Sequence, residues 1–296
     1  MFRGSMVALV TPFENNRVDE LRLRALIEFQ IANGTHVLVP CGTTGESATL
    51  SMAEHRRVIE ITVETAAGRA LVMAGTGSNN TTEAIELTRA AKSAGANGAL
   101  LIAPYYNKPT QEGLYRHFMA IAEATQFPFV LYNIQGRTAV NVLPETIVRI
   151  SEACPLLVGV KEASGSLEQI STLHSLLNDR AAILSGDDAL TLPIMAVGGQ
   201  GVISVVANLV PRATADLVDA CLQGNYAAAL PLHERLLPLV KAMFLETSPA
   251  PVKAALDMMG MCGNELRLPL VPVTDATRGK VRAALEAYGL LSGRKA

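Results

Sequence analysis

Eight short apolar runs recur along the chain, and this recurrence constrains the fold more than any other feature. Each run is rich in Val, Leu and Ile, and each is followed by a longer segment with helical spacing of its apolar residues. Repeated strand–helix units of this kind are typical of a parallel sheet covered by helices. The predicted strands are residues 6–10, 36–40, 71–74, 99–103, 129–132, 157–161, 182–185 and 202–205.

Eight strand–helix units can close into a barrel or can remain an open, doubly wound sheet. An open sheet that binds a dinucleotide carries a glycine-rich fingerprint after its first strand, but Thr11, Pro12 and Phe13 stand there instead. The glycines at 75 and 77, after the third strand, are better explained as a tight turn. We therefore predict an α/β fold, a (β/α)8 TIM barrel over residues 1–222 that carries the active site.

The segment after the last predicted strand has a different character. Strand signals stop near residue 222, and helical stretches follow at about residues 226–246, 251–259 and 275–290. We predict that residues 223–296 form a C-terminal helical region that caps or flanks the barrel.

Composition and charge exclude several classes of function. Hydrophobic residues make up 49% of the chain and charged residues 18%, so a large core can form and disorder is not expected. The 25 basic and 27 acidic residues are spread along the chain without a basic stripe, so we predict no nucleic-acid partner. No apolar run approaches the ~18 residues that span a bilayer, so we expect no membrane partner and a soluble, cytoplasmic protein.

The cysteines and histidines do not indicate a metal site or a disulfide framework. The four cysteines lie far apart in the sequence, and no two of the five histidines have metal-ligand spacing. We expect reduced, mostly buried thiols and no metal or other cofactor in the chemistry.

The most informative single residue is Lys161, which ends the sixth predicted strand. Five uninterrupted apolar or glycine residues precede it, as expected of a strand buried on both faces. Catalytic residues of such barrels lie at the carboxyl ends of the strands and in the loops that follow. Apolar surroundings disfavour the charged form of a lysine, and a neutral amine can attack a carbonyl carbon. A solvated lysine that merely ends a strand is the alternative.

Other strand ends carry residues that suit the same chemistry. In the loop at residues 41–47, glycines flank Thr43 and Thr44, so that backbone N–H groups and hydroxyls can approach a small anion. Tyr106 follows the fourth strand and Tyr132 ends the fifth. A lysine with hydroxyls around a metal-free pocket suits a carbonyl substrate held as an imine. A polar turn and tyrosines that only pack at the rim are the alternatives.

Several separated motifs together resemble the dihydrodipicolinate synthase family, the pyruvate-dependent class I aldolases of lysine and diaminopimelate biosynthesis. The resemblance covers essentially the whole chain, from Val7 to the C-terminal helices. It implies a Schiff-base lyase that condenses pyruvate with L-aspartate 4-semialdehyde and needs no cofactor. The motifs that carry it are residues 41–47, 105–107, 131–133, 136–138, 159–162 and 185–188.

The resemblance also implies roles for individual residues. Lys161 would form the imine with pyruvate, and Tyr132 would relay protons, with Thr44 linking it to Tyr106. Tyr106 would reach across a subunit interface into the neighbouring active site, which implies a homo-oligomer, either a dimer or a tetramer of two dimers. The residues implied to bind substrate are Thr43 and Thr44 for the pyruvate carboxylate, Arg137 for the carboxylate of the semialdehyde, and Gly186 and Ile203 through main-chain carbonyls.

Arg137 favours the amino-acid branch over related aldolases. Relatives that act on sialic acid or keto-deoxy-sugar acids share the lysine, the tyrosine and the hydroxyl loop but lack an arginine at this position. A guanidinium binds a carboxylate through two parallel hydrogen bonds, which a lysine reproduces poorly. Gln135, however, stands where the family usually has proline. Another pyruvate-dependent aldolase, including one for aromatic aldehydes, therefore stays open, as does a non-catalytic paralogue that binds a keto acid and regulates a partner.

A second, regulatory site is implied by the same resemblance. Met52 occupies a position that is often histidine in lysine-sensitive members, so we expect weak or moderate inhibition by lysine. Glu83 would pair with the amine of the effector, but it also suits the first turn of a helix for purely structural reasons. The residues that match lysine-binding positions are Ser47, Ala48, His55, Asn79, Glu83 and Tyr105.

Overall fold

The computed structural model describes residues 2–291, and its centre is a closed ring of eight parallel strands. The ring order follows the chain order, and the first barrel strand closes the ring by pairing with both the second and the last. This topology confirms the predicted (β/α)8 barrel. The barrel strands are β1 (Gly4–Ala8), β4 (Val37–Val39), β5 (Leu71–Gly75), β6 (Gly98–Ile102), β7 (Phe129–Asn133), β8 (Leu157–Glu162), β9 (Ala182–Ser185) and β10 (Gly201–Ser204).

All eight predicted strands are present, with bounds that differ from the prediction by no more than two residues at either end. One further pair of strands was not predicted. It is a two-residue hairpin after the first barrel strand, made of β2 (Phe13–Glu14) and β3 (Arg17–Val18). Its antiparallel ladder is too short to leave a pattern of alternating polarity in the sequence.

Helices cover the outside of the ring, and a one-turn helix, α5 (Gln135–Thr138), follows β7. A capping box formed by Ser51 and Glu54 is present at the start of the second barrel helix. The helices that follow the eight barrel strands are α1 (Glu20–Ala32), α2 (Met52–Ala66), α3 (Thr81–Ser93), α4 (Gln111–Thr125), α6 (Pro144–Ala153), α7 (Leu167–Leu177), α8 (Thr191–Ala196) and α9 (Pro211–Leu222).

The barrel strands bury apolar side chains on both of their faces. In β1, Met6 belongs to the cluster inside the ring, whereas its neighbour Val7 belongs to the larger cluster between the sheet and the helices. The same division holds for Leu100 and Leu101 in β6. Because successive side chains of a strand point to opposite faces, only continuous apolar runs can fill both cores. This is why the strands are readable in the sequence.

Three helices follow the barrel: α10 (Tyr226–Ala242), α11 (Ala250–Met258) and α12 (Asp275–Tyr288). Helix α10 ends at Ala242 rather than near residue 246 as predicted. The first seven residues of α11 are all buried. Its Lys253 hydrogen-bonds to loops that follow β1 and β4, so α11 covers part of the carboxyl end of the barrel. The division of the chain near residue 222 stays a prediction.

Candidate active site

Lys161 of β8 lies beside Tyr132 of β7 at the carboxyl end of the barrel. The two residues pair directly in the sheet, and Lys161 Nζ lies 4.0 Å from the centroid of the Tyr132 ring. Lys161 is 6% exposed, so its amine is not in bulk water. Burial lowers the pKa of Lys161 from 10.5 to about 7; the charge of Asp188 opposes this shift, and the charge of Arg137 adds to it. Much of this amine is therefore uncharged near neutral pH.

Asp188 is the carboxylate whose charge raises the pKa of Lys161, but its hydrogen bonds are with groups at the end of β10 and just after it, and not with the lysine. The backbone N–H groups of Val205 and Val206 donate to its Oδ2 at 2.9 and 3.2 Å. Burial raises the pKa of Asp188, and these hydrogen bonds and one with Ser204 oppose that shift. Within residues 2–291, Lys161 forms no ion pair, so its charge has no direct counter-ion to retain the proton.

Tyr132 is buried, and burial raises its pKa to about 12, against the charge of Arg137 and a hydrogen bond with the Thr43 side chain. The phenol therefore keeps its proton at neutral pH. The resemblance implies Thr44 as the partner of this phenol, whereas the hydroxyl that lowers its pKa here is that of Thr43; the role of Thr44 stays a prediction. Thr43 is the threonine that lines the cavity, while Thr44 is buried at 5% exposure.

A cavity of about 450 Å³ opens beside Tyr132, Thr43 and Arg137. Arg137 lies on the one-turn helix α5, and its Nη2 donates to the carbonyl of Ser248 at 3.3 Å. Gln135 begins this helix, and its carbonyl accepts the Ala139 N–H at 2.9 Å. The turn with glutamine in place of proline is thus a closed helical turn that presents the guanidinium to the cavity.

Gly186 has no room for a side chain, because Ala163 and the Lys161 side chain pack against it. A Cβ atom at this position would lie 3.1 Å from Lys161 Cε and 2.7 Å from the Ala163 Cβ. Ile203 lies inside the barrel on β10 and is 1% exposed. Neither Gly186 nor Ile203 lines the cavity, and the substrate-facing role of their carbonyls stays a prediction.

Tyr106 lies apart from the other candidate catalytic residues. Its side chain is 88% exposed and does not line the cavity of its own chain, and its backbone has a φ of +72°. A tyrosine with positive φ is uncommon and costs conformational energy, so the surrounding loop must stabilise this backbone conformation.

Five of the six predicted effector residues line the same cavity as Tyr132, Thr43 and Arg137, whereas Lys161 and Thr44 are not among its lining residues. The Nε2 atom of His55 hydrogen-bonds to the carbonyl of Gly75 at 2.9 Å, and its Nδ1 atom is buried without a partner among the described residues. Asn79 lies outside the lining, but its side chain donates to the Tyr105 carbonyl at 3.2 Å. The members that line the cavity are Ser47, Ala48, His55, Glu83 and Tyr105.

Two buried carboxylates beside the site were missed as functional residues. Glu162 follows Lys161, is 0% exposed, and accepts hydrogen bonds from Asn133 Nδ2, Gln169 Nε2 and the Ser164 N–H at 2.8–3.2 Å. It thereby ties the ends of β7 and β8 together.

The second missed carboxylate is Glu46, which follows the two threonines in the loop after β4. Its Oε1 atom lies 2.6 Å from Lys253 Nζ, and both side chains are 0% exposed. One signal was available in the sequence: Lys253 is the only charged residue in the otherwise apolar run at 250–256.

The described residues, 2–291, contain no cluster of three or more His, Cys, Asp or Glu side chains that could hold a metal ion. In the same part of the chain, no helix combines the length and the apolar character that crossing a membrane requires. All four cysteines are free and buried, as expected. The cytoplasmic location stays a prediction.

Comparison with known proteins identifies the family. A sequence model of the Dihydrodipicolinate synthetase family matches residues 1–288. The chain belongs to this family. A 4-hydroxy-tetrahydrodipicolinate synthase from Syntrophobacter fumaroxidans is 59% identical over 292 residues, which covers 98% of this chain and 100% of that relative. The family recognised from the motifs is thus confirmed, and so is the expectation of a lyase.

Solved structures of dihydrodipicolinate synthases have the same fold. The enzyme from Acinetobacter baumannii complexed with pyruvate is 44% identical, with a TM-score of 0.96 over 98% of this chain and 100% of that one. The enzyme from Cyanidioschyzon merolae with lysine bound is 40% identical, with a TM-score of 0.95 over 98% and 99% of the two chains.

Proposed function

We propose that this chain condenses pyruvate with L-aspartate 4-semialdehyde through a Schiff base on Lys161, and so acts as a 4-hydroxy-tetrahydrodipicolinate synthase. One observation carries the proposal: an amine with a pKa of about 7 lies buried 4.0 Å from the ring of Tyr132, which lines a cavity together with Arg137. Such an amine is a nucleophile at neutral pH, and a guanidinium beside it can bind an anionic substrate.

The first half of the reaction attaches pyruvate to the enzyme. The neutral amine of Lys161 attacks the ketone carbon, and the resulting carbinolamine loses water to give the imine. The Tyr132 phenol, which keeps its proton at neutral pH, can donate that proton to the departing hydroxyl and recover one from the substrate. The hydroxyl loop with Thr43 and Thr44 would hold the pyruvate carboxylate.

The second half forms the new carbon–carbon bond. Loss of a methyl proton converts the imine to an enamine, whose carbon attacks the aldehyde of the semialdehyde; the developing alkoxide takes a proton from the relay. Arg137 would hold the carboxylate of this second substrate. The amine of the substrate then attacks the imine carbon, closes the ring and releases the amine of Lys161.

Reductive trapping tests the proposal. Pyruvate with borohydride should add a carboxyethyl group to the Lys161 peptide and to no other lysine, and Lys161→Ala should carry no adduct. An unmodified wild-type protein would refute the enzyme and favour the non-catalytic paralogue. Pyruvate consumption should then be fastest with L-aspartate 4-semialdehyde; faster turnover with sugar-acid or aromatic aldehydes would assign the chain to another aldolase branch.

We also propose that the active site is completed by Tyr106 of a second copy of the chain. The exposure of this ring outside its own cavity, together with its positive φ, supports a role at a subunit interface. Tyr106→Phe and Lys161→Ala should each be nearly inactive alone. Mixed and allowed to exchange subunits, they should recover about a quarter of wild-type activity, because half of the dimers would contain one intact site. No recovery after verified exchange would contradict the shared site.

Lysine is proposed as an inhibitor that binds in the same cavity. Two features support it: the buried Nδ1 atom of His55, which has no partner within residues 2–291, and the carboxylate of Glu83. Because Met52 is 49% exposed and offers no hydrogen bond, we expect only weak or moderate inhibition. Unchanged turnover in millimolar lysine would end this proposal. Glu83→Gln should weaken inhibition without changing the yield of the pyruvate adduct.

A further inference from the structure

Lys253 is fully buried at the start of α11, far in sequence from the catalytic lysine, and its ammonium group contacts three partners. Its Nζ atom lies 2.6 Å from Glu46 Oε1 and donates to the Thr11 carbonyl at 2.9 Å. It also lies 4.3 Å from the centroid of the Phe13 ring. These partners hold the buried ammonium group in one geometry, because breaking the contact with any of them costs free energy.

Glu46 is equally constrained. Its second carboxylate oxygen accepts the Arg267 N–H at 3.1 Å, and its backbone has a φ of +54°, in the left-handed region. Its own N–H donates to the Thr43 carbonyl at 3.1 Å. Glu46 therefore anchors the turn in which Thr43 and Thr44 stand, and it connects that turn to the C-terminal helices.

The same turn is held from a second side. The Thr11 hydroxyl donates to the Gly45 carbonyl at 2.7 Å, while the Thr11 carbonyl accepts from Lys253. A Cβ atom at Gly45 would lie 3.0 Å from the Leu9 carbonyl oxygen, so the turn packs tightly on the end of β1. The threonine loop is thus fixed to β1 and α11 through partners that are all buried.

We propose that Lys253 and Glu46 are positioning residues for pyruvate, which set the placement of the Thr43–Thr44 turn through a buried ion pair. The inference rests on the proposed function, in which this turn holds the pyruvate carboxylate. It adds that binding of the first substrate depends on the C-terminal region, 207 positions further along the chain. Catalytic geometry is sensitive to such support, since a displacement near 1 Å can cost ~100-fold in rate.

A purely structural role would have different consequences. Loss of a structural ion pair would lower the melting temperature and leave the folded fraction with normal substrate affinities. A positioning role raises the pyruvate concentration that gives half-maximal trapping, while Lys161 still forms the adduct at saturation. The KM for L-aspartate 4-semialdehyde should change little, because Arg137 is held by α5 and the Ser248 carbonyl instead.

The experiment compares Glu46→Gln and Lys253→Met with the wild-type protein by borohydride trapping over a range of pyruvate concentrations. Both variants should need about 10-fold more pyruvate for half-maximal adduct, as expected when a charge-assisted contact is lost. Thr11→Val removes only the hydrogen bond to Gly45 and retains the shape of the side chain. Thr11→Val should raise the half-maximal pyruvate concentration by less than about 10-fold. This variant keeps the inference testable if the two charge variants fail to fold.

The matched control is Arg278→Met, which breaks the 2.8 Å ion pair between α12 and Asp257 of α11. This substitution loosens the same helix without contacting the threonine turn. The pyruvate concentration for half-maximal adduct should therefore stay within about twofold of the wild-type value, a smaller change than the loss of one hydrogen bond produces. If Glu46→Gln and Thr11→Val both need the same pyruvate concentration as the wild-type protein for half-maximal adduct, the inference is overturned. Absence of an adduct in the wild-type protein would instead refute the proposed function.

Discussion

Within residues 2–291 two lysines are buried, Lys161 and Lys253, and their surroundings are alike except for the carboxylate beside Lys253. Each ammonium lies near the face of an aromatic ring, at 4.0 Å from Tyr132 and at 4.3 Å from Phe13. Burial lowers the pKa of both amines. Only Lys253 has a carboxylate in contact, at 2.6 Å, and the charge of that Glu46 opposes the shift.

The difference shows that burial alone does not make a nucleophile. An amine in an apolar site loses its proton easily when no counter-ion retains it, and Lys161 is in that situation. An amine with a carboxylate and a carbonyl at hydrogen-bonding distance, as in Lys253, has partners for its charged form that oppose the effect of burial. Under the two proposals, the same residue type supplies the reactive group in one place and the support for the binding loop in the other.

The largest expected effect is on catalysis. Lys161→Ala should lower condensation activity by more than ~1000-fold, because it removes the covalent intermediate. Lys253→Met should retain trapping on Lys161 when pyruvate is saturating. Peptide mapping after borohydride treatment measures both. An adduct on Lys253, or an active Lys161→Ala variant, would remove the distinction between the two lysines.

The second effect is on stability and has opposite signs at the two sites. Lys253→Met should lower the free energy of unfolding by about 3–5 kcal/mol, because it leaves Glu46 buried without its cation. Lys161→Met should leave that free energy unchanged or raise it, since a buried amine without an ion pair is replaced by an apolar side chain. Urea denaturation at pH 7 compares them. Equal losses would mean that Lys161 is paired as firmly as Lys253.

Arg137 separates imine formation from condensation. Arg137→Ala should retain the Lys161 adduct but lower condensation by about 100-fold, the effect of removing a charged hydrogen-bonding partner. Without the guanidinium charge, the pKa of Lys161 should also rise. Trapping yield and pyruvate consumption are measured on the same preparation. Parallel loss of both activities would contradict the division of roles between Lys161 and Arg137.

The last expected effect is in the pH dependence of adduct formation and of stability. Adduct formation should rise about 10-fold per pH unit below about 7 and level off above, as Lys161 loses its proton. The pKa of Lys161 is 10.5 unfolded and about 7 folded, so the unfolded chain binds more protons between these values. Wild-type stability should therefore rise with pH in that window relative to Lys161→Met. A constant difference between the two proteins would show that Lys161 has no lowered pKa.

Much of this molecule was predictable from its sequence. The eight barrel strands are readable because each must fill two cores, and this requires apolar runs without interruption. Lys161 stands out because a charged residue ends such a run. The hairpin β2–β3 was missed because two-residue strands leave no periodicity, and the end of α10 was placed about four residues too late because helix ends are weakly encoded.

By itself, the sequence determined the barrel and the order of its strands, and it indicated Lys161, at the end of the sixth strand, as the candidate nucleophile. Only the tertiary structure decided which amine is free to react. The proton affinity of a lysine depends on which charges lie within a few ångströms, and Glu46 and Lys253 become neighbours only when α11 packs over the carboxyl end of the barrel. The lone charge in the apolar run at 250–256 singles out Lys253, but no local pattern identifies its partner Glu46, 207 positions away.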